Sequence, residues 1–128
     1  MSERILVQRF KSLYWPEALC QDFADEARVL AATPVTGYMH GGRNEFDYHW
    51  GRIHYFYQTL KSGGSLDPIE IDWIWYGMSP SEITLRDGHH RFIAAVLAKK
   101  RWIMADYSGP VDVVEWLEGK AKKRPAWL

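Results

Sequence analysis

The sequence predicts a small mixed α/β (α+β) fold, a short sheet flanked by helices in a single domain. Three observations carry this. Stretches with a two-residue apolar period, as in Ile69, Ile71 and Trp73, alternate along the chain with stretches of helical period, as in Phe46, Trp50, Ile53, Tyr57 and Leu60. Glycine or proline separates most of them. The chain has 128 residues, 47% hydrophobic and 25% charged, which suits one core and excludes wholesale disorder.

Residues 5–11, an apolar-rich run from Ile5 to Lys11, read as a first strand. Pro16 then suits the first turn of a helix, along which Leu19, Phe23, Ala27 and Leu30 recur at helical spacing until Pro34 stops it. Residues 35–44 form a glycine-rich loop, with Asn44 as an N-cap and Glu45 and Asp47 at the positive end of the next helix. Phe46, Trp50, Ile53, Tyr57 and Leu60 give that helix one buried stripe, and Gly63 and Gly64 end it. Residues 67–75 read as a strand, 77–81 as a turn, and 82–86 as a second strand closed by Asp87 and Gly88. A helix over 89–99, a strand over 102–106 and a helix over 111–117, opened after Gly109 and Pro110, complete the order.

Sixteen basic residues balance sixteen acidic ones, and both halves of the chain are neutral. Neutrality argues against a broad DNA-gripping surface. The exception is the end of the chain, where Lys120, Lys122, Lys123 and Arg124 crowd together in a basic tail over 120–128. No apolar run is long enough for a membrane span, and the N-terminus lacks the pattern of a signal peptide. Cys20 is the single cysteine, so no intramolecular disulfide or multi-cysteine metal site is expected, and a reducing cytoplasm is the expected setting.

The segment richest in chemistry is Asp87-Gly88-His89-His90-Arg91, which runs from the end of a strand into a helix. A helix N-terminus exposes unpaired N–H groups and a partial positive charge. Gly88 lets a ligand approach the backbone, Arg91 offers a planar fork for phosphate oxygens, and His89 and His90 can donate, accept or carry charge. These residues describe a phosphate-binding turn. The same residues also have structural readings: Asp87 as an N-cap, and His89 as a core histidine on the face of Phe92, Ile93 and Val96.

The stretch over 53–107 resembles the ParB/sulfiredoxin-like superfamily. The resemblance rests on Leu66-Asp67-Pro68-Ile69-Glu70-Ile71, on the strand over 83–87 that ends in Asp87-Gly88-His89-His90-Arg91, on Ala94-Ala95 and on Trp102-Ile103-Met104-Ala105. It implies a single ParB/sulfiredoxin-like domain in which Gly88, His89, His90 and Arg91 cradle the phosphates of a nucleotide. Members bind CTP, use ATP, or are described as nucleases. His89 stands where sulfiredoxins have their reactive cysteine, so sulfinic acid repair is not expected. Partition proteins carry a helix-turn-helix reader after this domain, and the about 20 residues after Tyr107 are too few for one.

The expected function is therefore a nucleotide- or phosphate-binding domain, with hydrolysis of a nucleotide phosphate at the turn. Arg91 would neutralise developing charge, His90 would donate a proton or act as acid/base, and Asp87 would cap the helix, orient a histidine or help hold Mg²⁺. Arg43, in the glycine turn over 41–44, is a candidate second anion contact. Expected cofactors are ATP or CTP with Mg²⁺. No local spacing points to a protein metal site: His49 and His54, five apart, diverge by about 140° round a helix. Two alternatives use the same residues differently. One is a DNA nuclease or DNA-binding accessory protein of a plasmid, phage or mobile element. The other is a non-catalytic module whose abundant aromatics meet a protein partner or a second copy of the chain.

Overall fold

The computed structural model describes residues 2–15, 23–37, 45–76 and 79–128. It holds nine elements in the order β1 (Ser2–Leu6), α1 (Val7–Leu13), α2 (Glu26–Ala31), α3 (Glu45–Lys61), β2 (Ile69–Tyr76), β3 (Ser79–Asp87), α4 (His89–Leu97), β4 (Trp102–Tyr107) and α5 (Val111–Leu117). The α/β class is as the sequence predicts: among the described residues there are one four-stranded mixed sheet and five helices. The chain divides into two compact units, residues 1–15, 67–88 and 101–128 in the first, and 16–66 and 89–100 in the second.

The first unit contains the whole sheet, in the order β1-β4-β2-β3. β1 and β4 run antiparallel, with Ile5 opposite Ile103; β2 and β4 run parallel, with Ile69 opposite Ala105; β2 and β3 run antiparallel, with Ile71 opposite Leu85. Along β4, Ile103 and Ala105 are buried while Met104 and Asp106 are exposed, the alternation of a sheet with one covered face. α5 buries Val113, Trp116 and Leu117.

Three expectations are corrected here. The strand expected over 5–11 ends at Leu6, and α1 follows. Val7 and Phe10 are buried three apart, and Val7 N–H donates to Arg101 O at 2.9 Å, so tertiary contacts override the β preference of this β-branched stretch. β3 begins at Ser79, within the turn expected over 77–81; residues 77 and 78 lie outside the described residues. The helix expected from Pro16 to Pro34 is described only from Phe23 onward, where α2 starts at Glu26, capped by the Asp25 carboxylate accepting from Arg28 N–H at 3.2 Å. Its buried residue is Val29, whereas Leu30 is 46% exposed.

The second unit is helical and centres on α3. The stripe expected there is half right: Ile53 and Tyr57 are buried, but Phe46 is 64% exposed. The middle of α3 is covered all round, with Gly51, Arg52, Ile53 and His54 buried in succession. The segment Ala32 to Val35 explains this. Val35 N–H donates to Gly51 O at 2.9 Å, Arg52 Nη1 donates to Val35 O at 3.0 Å, and His54 Nδ1–H donates to Ala32 O at 2.6 Å. A side chain at Gly51 would meet Thr33 O at 2.5 Å, so only glycine allows this close approach. α3 closes as expected, with Gly63 at φ +85° and Gly64 N–H donating to Thr59 O at 2.8 Å. α4 buries Phe92, Ile93, Ala94 and Ala95 and packs on α3.

A two-helix histidine site

β3 ends at Asp87 and α4 opens at His89, so the strand-to-helix switch falls at Gly88. Gly88 has φ +100°, the left-handed region that favours glycine, and its N–H donates to Asp87 Oδ1 at 2.9 Å. Asp87 thus serves the turn itself. His89, His90 and Arg91 are half-buried on the first turn of α4. Arg43, with the rest of the expected glycine turn over 41–44 and Asn44 as N-cap, lies outside the described residues, as does Cys20.

Within the second unit, His90 meets a residue that the sequence reading left unassigned. His49 Nδ1 of α3 lies 2.6 Å from His90 Nε2, a short hydrogen bond between two imidazoles. The rings are 4.9 Å apart, centre to centre. Tyr48 packs edge-on to His90 at 5.9 Å, and Phe23 covers His49 at 5.0 Å. On its other side, His49 Nε2 lies 3.5 Å from the Glu45 carboxylate one helical turn back. Glu45, His49 and His90 therefore form a file from an exposed carboxylate to a half-buried ring.

The electrostatics around His90 are one-sided. Its pKa is lowered to about 3, first by burial and then by its electrostatic neighbours His49, Arg52, His89 and Arg91. His90 is thus neutral at physiological pH, in a neighbourhood where charge from both helices converges. Arg52 is 2% exposed, with its guanidinium 4.4 Å from the centre of the Phe56 ring. A buried cation is costly unless its surroundings compensate it. An anion near His90 would offset the charge of Arg52 and Arg91.

The chain matches no protein-family model, no curated protein and no solved structure with which it was compared.

Glu70 and Asp72 line an open groove of about 180 Å³ in the first unit, with Arg86, Asp106 and Tyr107. Glu70 is opposite Asp87 on one side and Asp106 on the other. Among the described residues, no three His, Cys, Asp or Glu side chains converge to hold a metal ion. Among the described residues no helix is long and apolar enough to cross a membrane. The basic tail is partly folded back: Lys120 pairs with Glu118 at 2.9 Å, and Trp127 Nε1–H donates to Asp112 at 2.7 Å.

The sequence reading brought His90 and Arg91 to one helix start but missed His49, Glu45 and Arg52. One local signal was available. Glu45 and His49 are four apart and Arg52 is three further on, so all three share a face of α3. Nothing local linked that face to a residue 41 positions downstream.

Proposed function

We propose that the chain binds the phosphate groups of a nucleotide at the start of α4, with Arg91 and His90 as its principal contacts. The observation that carries this reading is that His90 and Arg91 lie on the first turn of α4, with His49 of α3 at 2.6 Å from His90 and the buried Arg52 on the same helix as His49. Arg91 supplies the forked donor for phosphate oxygens, and the first turn of α4 supplies N–H groups and its positive end. The resemblance of Asp87-Gly88-His89-His90-Arg91 to the ParB/sulfiredoxin-like phosphate turn supports the same ligand. The single cysteine suits a cytoplasmic setting, where such nucleotides are abundant.

The test is a thermal-shift series with ATP, CTP and GTP, with and without Mg²⁺, on the wild type and on folded Arg91→Ala. At about 100 times its dissociation constant a ligand adds about 2.7 kcal/mol, a shift of several degrees for a chain of this size. The expected result is a wild-type shift for at least one nucleotide, lost in Arg91→Ala. No shift at millimolar nucleotide overturns the reading. A response to DNA oligonucleotides alone moves the ligand to a nucleic-acid backbone phosphate.

A further inference from the structure

Proton transfer is the question that the file of side chains raises, because simple phosphate binding does not need it. An arginine and a helix start hold a phosphate without two imidazoles in contact. The contact is also unlike that of an ordinary buried histidine, whose ring bonds a fixed donor or acceptor. Each imidazole here is able to donate or accept, so the proton between them has two possible homes.

The geometry orders the tautomers. Glu45 is a carboxylate, acceptor-only when ionised, and it faces His49 Nε2 at 3.5 Å. It therefore favours the form of His49 with its proton on Nε2, which leaves Nδ1 as acceptor. His49 Nδ1 then accepts from His90 Nε2–H across 2.6 Å. In neutral His90 the remaining nitrogen, Nδ1, carries a bare lone pair.

We propose that Glu45, His49 and His90 form a proton relay, in which His90 Nδ1 is the base that activates water for attack on the bound phosphate. This rests on the nucleotide-binding reading and assigns the chemistry of that site. As water oxygen bonds to phosphorus, its proton passes to His90 Nδ1. The Nε2 proton of His90 moves to His49 Nδ1, and the Nε2 proton of His49 moves to the Glu45 carboxylate and on to solvent. The P–O bond to the leaving group breaks, and its electron pair departs with that oxygen. His90 is the catalytic residue; His49 and Glu45 act through it.

The relay answers a difficulty set by the surroundings. Burial first, and then Arg52 on α3 with His89 and Arg91 on α4, oppose a lasting positive charge on His90. A lone imidazole there would be a weak base. Passing a proton out at Nε2 as one arrives at Nδ1 leaves His90 neutral throughout. The proton is taken up instead by the negative Glu45 carboxylate, whose side chain is 73% exposed. The relay supplies a base and no acid. It therefore suits a phosphoanhydride, whose leaving phosphate departs without a proton, better than a DNA diester, whose alkoxide needs one.

Two measurements on the full chain test this. Imidazole nitrogen NMR at pH 7, assigned with His49→Gln and His90→Gln, should find protons on Nε2 of both rings and none on His90 Nδ1. A proton on His90 Nδ1 overturns the relay. Phosphate release from ATP, CTP and GTP should fall about 10²- to 10⁴-fold in His90→Gln. His49→Ala should lose kcat with the nucleotide thermal shift retained, and added imidazole should restore part of it. A merely structural His49 would give no such rescue. Nucleotide binding without phosphate release overturns the relay alone. Absence of any nucleotide response overturns the binding reading, and the catalytic role with it.

Discussion

His54 and His90 both belong to the helical unit, and each has a ring nitrogen 2.6 Å from its partner. The partners differ in kind. His54 donates to the carbonyl of Ala32, which only accepts, so the proton on its Nδ1 has nowhere to go. That bond ties the segment after α2 to the middle of α3, beside the close approach at Gly51. His90 bonds another imidazole, and both bonding atoms can exchange roles. Burial alone therefore does not separate a structural histidine from a chemical one. The donor and acceptor capacity of the partner does.

Acid should act most strongly through His90. The folded pKa of His90, about 3, lies below the ordinary imidazole value of 6.5. Between these values the unfolded chain binds a proton that the folded chain refuses. Stability therefore rises with pH across this window and is lost as pH falls from about 6.5 toward about 3, by up to about 1.4 kcal/mol per pH unit. Denaturant unfolding at a series of pH values checks this on the wild type and on His90→Asn. The variant should show a shallower slope in the same window. An equal slope in both would place the acid sensitivity elsewhere.

His54→Ala should have the next largest effect, and one on stability. It removes a side chain only 8% exposed and leaves the Ala32 carbonyl without its donor. The expected loss is about 2–3 kcal/mol in unfolding free energy. The nucleotide thermal shift, measured relative to the variant's own baseline, should remain. Its loss would mean that the two histidines support one site, against the contrast drawn between them.

Much of this contrast was hidden from the sequence for a physical reason. Elements whose own residues decide them were readable: α5 follows Pro110 over the expected positions, and α4 follows Gly88, whose positive φ no side chain would favour. The alternation of Ile69 and Ile71 with Glu70 and Asp72 marked β2. α1 was not readable, because Ile5, Leu6 and Val7 look like a continuing strand until Arg101 accepts from Val7 N–H. The burial of Arg52 was equally hidden, since it depends on Val35 lying against α3. Of the residues in the proposed site, His90 and Arg91 stood out in a single turn, and the His49 contact did not. Spacing reports neighbours on one helix, and His49 and His90 are on two.

Asp25→Ala should give the smallest effect and the finest test. Asp25 caps α2 by accepting from Arg28 N–H, and the C-cap of α2 is Ala32, the residue whose carbonyl holds His54. Losing the cap should cost about 1 kcal/mol. A helix of six residues has little internal cooperativity to absorb the loss, so its end should fray toward Ala32. The His54 Nδ1–H signal should then broaden or exchange faster with solvent. His90 is held instead by His49 and packed against Tyr48, and neither residue lies on α2. Its nitrogen signals should stay as in the wild type. Equal disturbance of both rings would show that the structural bond and the relay share one cooperative element, and that α2 sets the geometry of the chemical site as well as the structural one.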